Sequence, residues 1–198
     1  MKVLILFAHP AIQKSRINSY LIKGISEIQD VTFHDLYEEY PEFDIDVKHE
    51  QQLVENHDVI IFHFPLYWYS TPAILKEWQD LVLLHGWAYG SKGTALKDKL
   101  FFCTISTGSP GIAYEVGGFH DHTLNQLLVP LRQTAKLCKM IPLPPFLIHS
   151  THTLDNEDIN YYRNNYFQLL RRLSDDDFEI ENALDNEYMN NYLKMEEK

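Results

Sequence analysis

The sequence predicts an α/β fold, a doubly wound five-stranded parallel sheet with helices on both faces, and two observations carry that expectation. Short apolar runs at 3–7, 31–36, 59–64 and 100–105 have strand length, and the run at 59–64 is continuous, as in a parallel strand buried on both faces. Between the runs, apolar residues recur at three- and four-residue steps. Alternating strands and helices joined by right-handed crossovers build an open parallel sheet.

Taken in order, Val3 to Phe7 is a strand that ends in a loop at His9 and Pro10, and segment 15–28 places Ile17, Tyr20, Leu21, Ile25 and Ile28 on one helical face. A weaker strand at 31–36 leads to a helix at 47–56 carrying Leu53 and Val54. After the central strand at 59–64, Pro72 is placed to open a helix, followed by Ile74, Leu75, Trp78, Leu81 and Val82. The fourth strand is 100–105. A helix at 124–137 contains Pro130, which should kink or interrupt it. Phe146, Leu147 and Ile148 form a short fifth strand, and 155–173 is the closing helix. Residues 1–173 thus form one domain. Residues 174–198, with Asp175, Asp176 and Asp177 and scattered Ile180, Leu184, Tyr188, Met189, Tyr192 and Leu193, read as a solvated acidic C-terminal tail. The alternative is a terminal helix packed on a partner subunit.

A chain of 198 residues with 45% hydrophobic residues buries one substantial core. Its formal net charge of -11 repels nucleic acid and anionic lipid, so no nucleic-acid partner is expected and membrane contact needs a protein partner. Cys103 and Cys138 both lie in apolar segments and read as reduced, buried thiols of a cytoplasmic protein. The apolar run at 3–7 is too short for the core of a signal peptide, and no stretch has the length to span a bilayer.

Ligands of such sheets bind beyond the carboxyl ends of the strands, which directs attention to the loops after the first, third and fourth strands. In the first, Ser15 begins a helix whose free N–H groups suit a phosphate, with His9, Arg16 and Asn18 as further donors. An ordinary capped helix explains the same residues equally well. In the second, Tyr67, Trp68 and Tyr69 are consecutive, a costly run to expose unless it packs on a flat ligand. Trp87 and Tyr89 follow the next helix and are placed to complete a pocket or a subunit contact. In the third, Ser106, Thr107, Gly108, Ser109, Pro110 and Gly111 are small enough for a backbone that turns closely around something, and Tyr114 and His120 follow. His120, Asp121 and His122 lack a third ligand at metal-site spacing, so no metal is expected.

These residues carry a resemblance. Over about 1–173 the chain resembles the flavodoxin-like NAD(P)H dehydrogenase (quinone) family: residues 64–76 are similar to its aromatic flavin loop and following helix, and 106–108 to its Thr-Thr-Gly loop. Residues 37–46 and 85–90 resemble the bacterial branch that acts as an ancillary protein of glutathione-gated potassium efflux. The resemblance implies a flavin phosphate held by His9, Ser15, Arg16, Ile17 and Asn18, and an isoalloxazine ring lined by Leu66, Tyr67, Trp68 and Tyr69. It implies a pyrimidine edge held by Thr107, Gly108, Ser109 and Pro110, with Tyr114 and His120 assisting hydride transfer. Ser109 and Pro110 stand where the family often has glycine, and Pro110 removes a backbone donor. The implied activity is two-electron transfer from NADPH or NADH through bound FMN, with FAD the alternative flavin, to a quinone in the same pocket. A homodimer with the site near the subunit boundary is implied as well. The alternative function is a regulatory ancillary subunit of a potassium-efflux membrane protein with secondary oxidoreductase activity, peripheral to the inner membrane through that partner. A one-electron carrier is disfavoured because its phosphate loop is compact and rich in Ser, Thr and Gly, whereas this loop is longer and carries His9 and Arg16.

Overall fold

The apolar runs find one another in the order β2-β1-β3-β4-β5, every pairing parallel, in a computed structural model that describes residues 1–175 and 177–195. The strands are β1 (Val3–Phe7), β2 (Val31–Asp35), β3 (Val59–Pro65), β4 (Leu100–Ser106), β5 (Ile141–Pro142) and β6 (Phe146–Ile148). The expected fifth strand is broken in two. β5 pairs with the start of β4 and β6 with its end, because the intervening Pro144 and Pro145 have no N–H to give to a ladder.

Although β1, β3 and β4 read as continuous apolar runs, their side chains divide with the period of two that a strand imposes. Val3, Ile5, Phe7, Val59, Ile61, Leu100 and Phe102 pack on one face of the sheet, and Leu4, Leu6, Ile60, Phe62, Phe64, Phe101, Cys103 and Ile105 on the other. The first face is covered by α1 (Arg16–Ile22) and α7 (Asn156–Ser174), which bring Ile17, Leu21, Tyr166, Leu169 and Leu170. The second is covered by α3 (Val47–Glu55), α4 (Ala73–Val82) and α6 (Val129–Leu137), with Val54, Trp78 and Ala135 at their centres. Cys103 and Cys138 are free and buried.

Several boundaries differ from the expected ones. The helix expected at 15–28 ends at Ile22, since Gly24 turns left-handed at φ 83° and a single 3-10 turn, Ile25–Glu27, follows. The strand expected at 31–36 stops at Asp35, whose carboxylate caps α2 (Leu36–Glu39) by accepting from the N–H groups of Tyr37 and Glu38. Pro130 does interrupt the helix at 124–137: α5 (Leu124–Leu127) ends and α6 begins with the proline in its first turn, where a missing N–H costs nothing. A buried carboxylate fixes the segment after α2. Glu50 is fully buried and accepts from His34 Nε2 at 2.8 Å, Tyr40 Oη at 2.6 Å and Trp78 Nε1 at 2.7 Å. Burial pushes its pKa up, but those hydrogen bonds outweigh burial and hold the group below the usual carboxylate range.

The largest departure is at the C-terminus. In place of a solvated tail, residues 177–195 form α8 (Ile180–Leu184) and α9 (Met189–Met195), and Phe178, Ala183, Met189, Tyr192 and Leu193 are buried in the same core face as α7. α9 packs on α7 and β6 of its own chain, and α8 packs on α9. Asp176 and residues 196–198, part of the expected tail, lie outside the described residues.

Candidate functional site

In the strand order 2-1-3-4-5 the chain leaves β1 and β3 in opposite directions, and the crevice at their carboxyl ends is where such sheets hold ligands. A cleft of about 460 Å³ opens there. Of the residues predicted for a site, His9, Ser15, Arg16, Ile17, Asn18, Leu66, Tyr67 and Gly108 line it. Lys14 and Arg16 are among its described lining residues and no carboxylate is, although the chain as a whole carries a net charge of -11.

The floor of the cleft is tightly organised. Ser15 caps α1 by accepting from Asn18 N–H, and the Asn18 amide nitrogen donates to Ser15 Oγ at 3.0 Å and to Ser106 Oγ at 3.1 Å. Asn18 Oδ1 is buried with no protein partner. His9 Nδ1 accepts from Ala11 N–H at 3.1 Å, so the neutral ring carries its proton on Nε2. Burial lowers the His9 pKa, in opposition to a backbone hydrogen bond. Beneath it His63, fully buried between Phe7 and Tyr166, is pushed down to about 3 by burial and by neighbouring His9. The Arg16 guanidinium donates to Leu154 O across the cleft.

The loop after β3 is a tight turn in which Tyr67 and Ser70 exchange main-chain hydrogen bonds of 3.1 and 3.0 Å. Its central residues, Trp68 and Tyr69, have φ of 50° and 63°. Two consecutive left-handed aromatic residues are strained, and strain of this kind concentrates at functional sites. Tyr67 lines the cleft, whereas the Trp68 side chain is 93% exposed at the rim.

The loop after β4 is laced to the segment that follows β6. Thr107 N–H donates to Ile148 O at 2.8 Å, Thr151 N–H to Thr107 O at 3.0 Å and Ser150 N–H to Ser109 O at 3.1 Å. Thr107 Oγ1 donates to Ser109 O at 2.9 Å and lies 3.1 Å from His149 Nδ1. Pro110 leads into the 3-10 turn Gly111–Tyr114. Tyr114 and His120 come together there, their rings stacked with centroids 4.4 Å apart. His120 Nε2 is 3.0 Å from Ser109 Oγ and its Nδ1 is 3.3 Å from Tyr69 Oη. Because hydroxyls donate or accept, that ring keeps both partners in either tautomer. Burial raises the Tyr114 pKa, opposed by hydrogen bonds with the Ser109 and Thr107 side chains.

Some expectations fail and some residues were missed. Trp87 and Tyr89 pack against the core, Trp87 donating to Glu55 Oε1 at 2.6 Å, and neither lines the cleft. Asp121 and His122, for which no metal was expected, make local contacts, Asp121 accepting from Gly117 N–H and His122 Nδ1 lying 3.2 Å from His120 O. Lys14, Thr151 and His152 line the cleft without having been singled out. The signal for Thr151 and His152 is the polar run 149–153 directly after the fifth apolar run, a loop at the same end of the sheet.

The family model described as the flavodoxin-like fold matches residues 1–170. The chain belongs to that family. The potassium-efflux ancillary protein KefG of Cronobacter sakazakii, named as part of a glutathione-regulated system, is 48% identical over 148 residues, covering 75% of this chain and 80% of the relative. General stress protein 14 of Treponema denticola, solved in complex with FMN, is 37% identical with a TM-score of 0.83, covering 87% of this flavodoxin-like chain and 99% of the other. An NADPH-quinone reductase of P. pentosaceus is 34% identical with a TM-score of 0.79, covering 86% and 98%.

Proposed function

We propose that this protein is an FMN-dependent NAD(P)H:quinone oxidoreductase. The observation that carries the reading is a carboxylate-free, cationic cleft floor in an acidic chain, flanked by an aromatic turn and a stacked Tyr114–His120 pair. The residues present fit FMN. Asn18 Oδ1 is orphaned beside the cleft, a buried polar atom left for a ligand to satisfy, and at Gly108 a Cβ would lie 2.9 Å from His152 Nε2, so glycine there leaves room for the His152 ring in the cleft lining. The FMN-bound relative and the quinone-reductase relative support the same reading.

Bound FMN would supply the redox chemistry, hydride transfer between NADPH or NADH and a quinone. The chain supplies binding, orientation and protons. Ser15, Ile17 and Asn18 would hold the phosphate end with the charge of Arg16, and His9 Nε2–H could donate to it because Nδ1 is occupied by Ala11. Leu66, Tyr67, Trp68 and Tyr69 would wall the ring, and Thr107, Gly108, Ser109 and Pro110 would meet its polar edge, with no N–H donor at Pro110. Reduction of a quinone consumes one proton beyond the hydride. Tyr114 stays protonated at neutral pH, since burial raises its pKa, and Tyr114 with His120, which is linked to the Ser109 and Tyr69 hydroxyls, would deliver that proton to the quinone oxygen.

The deciding experiment is a visible spectrum of the purified protein, chromatography of any released flavin, and anaerobic addition of NADPH. Bleaching that a quinone reverses supports the reading, and the released molecule distinguishes FMN from FAD. A colourless protein that neither flavin reconstitutes overturns it. The double variant Tyr114→Phe, His120→Ala should reduce quinone turnover roughly a hundredfold or more; unchanged rates would remove the pair from the mechanism.

The similarity to KefG favours a second role, as an ancillary subunit of a potassium-efflux protein. No helix among the described residues is long and apolar enough to cross a membrane, so this role places the protein in the cytoplasm, docked at the inner membrane through its partner. Failure to co-purify with a potassium-efflux protein would count against it. The exposed apolar rim of Trp68, Ile112, Val116 and Phe119 supports a homodimer that covers the site. Sedimentation as a monomer at micromolar concentration would exclude that assembly.

A further inference from the structure

The family match ends at residue 170, yet the chain beyond α7 returns to the sheet edge beside the active site. Asn190 lies against the open edge of β6 and treats it as a neighbouring strand would. Its Oδ1 accepts from Leu147 N–H at 2.9 Å, and its Nδ2 donates to Leu147 O at 3.0 Å. Met189 N–H adds a bond to Pro145 O at 2.9 Å, and buried Met189, Tyr192 and Leu193 anchor the segment from below. On its other side, Glu187 and Tyr188 form one wall of a cavity of about 250 Å³ whose opposite wall includes Tyr114 and His149.

β6 is the strand from which the 107–109 loop hangs, through the three main-chain bonds to Ile148, Ser150 and Thr151. His149, the first residue after β6, adds the side-chain link to Thr107. Burial lowers its pKa and keeps the ring neutral, and because Thr107 Oγ1 gives its proton to Ser109 O, the His149 Nδ1–H is the donor. We propose that segment 177–193 is a positioning element of the active site, acting through Asn190 on β6 and through His149 on the 107–110 loop. The function given to that loop rests on the flavin reading above, whereas the lacing itself does not. Asn190 and His149 are positioning residues, since they act through Thr107.

The test uses the full chain without flavin and then with it. In Asn190→Ala, amide exchange at Thr107, Ser150 and Thr151 should quicken about tenfold, the scale of one or two net hydrogen bonds, while the β2 amides at the far sheet edge keep their rates. FMN titrated into the same variant should bind about tenfold more weakly. His149→Ala should weaken FMN binding similarly, and His149→Asn should restore it, because an asparagine Nδ2 occupies the place of the histidine Nδ1. Unchanged exchange at 107, 150 and 151, or exchange rising equally at both sheet edges, overturns the proposal. So does a His149→Asn variant no better than His149→Ala. A wild-type chain that binds no FMN but shows the local exchange pattern would refute the flavin reading and leave the positioning role standing.

Discussion

The loop after β1 and the turn after β3 border the same cleft, but the first is tied down by its own polar groups while the second holds an aromatic ring out in water. Ser15, Asn18, Ser106 and the His9–Ala11 contact fix the floor before any ligand arrives. At the rim, Trp68 is 93% exposed and sits with Tyr69 in left-handed backbone. The chain stabilises its floor internally and leaves its rim strained and exposed, a difference that makes sense if the floor fixes a charged group of constant shape and the rim adapts to flat molecules that come and go.

The largest effect expected from breaking this contrast lies under the floor. The unfolded chain protonates His63 near its ordinary value of 6.5, and the folded protein resists until about 3. The contribution is therefore intact above pH 6.5 and is lost as pH falls below it, by about 1.4 kcal/mol per pH unit down to the folded value. His9, His57 and His149 are shifted in the same direction by burial. Urea unfolding at pH 7.5 and 5.5 should show a steeper acid loss in wild type than in His63→Gln; equal slopes would contradict the buried-histidine account.

An intermediate effect separates the floor from the rim by ligand. Arg16→Ala should weaken FMN binding about tenfold or more, the scale of a charge-assisted hydrogen bond, and should leave riboflavin, which lacks the phosphate, nearly unaffected. Equal losses for both ligands would move the phosphate away from Arg16. The smallest effect is at the rim, where Trp68→Gly should raise stability by about 1 kcal/mol through relief of the left-handed backbone, with little packing lost from so exposed a side chain. Thermal unfolding reads the gain. A loss of stability would show that Trp68 is covered in solution, as in a dimer.

Much of this was legible in the sequence for physical reasons. Continuous apolar runs mark β1, β3 and β4 because a parallel sheet buries both faces, and Tyr67 to Tyr69 stood out because exposed aromatics are costly. The early end of α1 depended on a single left-handed glycine, Gly24, which periodicity does not weigh. Thr151 and His152 were not legible because their loop is drawn to the cleft by main-chain bonds to Thr107 and Ser109, partners remote in sequence. The C-terminal helices were not legible because Phe178, Ala183, Met189, Tyr192 and Leu193 are diluted by acidic and amide residues, and the surface that α9 reaches includes β6, some forty residues back in the chain.

Asn190 also bears on solubility. A parallel sheet that ends in an uncovered strand offers its row of free amides and carbonyls to any extended chain in the vicinity, the usual first step of strand-by-strand aggregation. By filling the Leu147 positions with one side-chain amide, the protein closes that edge without adding another strand. Versions cut before residue 190 would expose that edge beside the cleft and should aggregate more readily than the full chain.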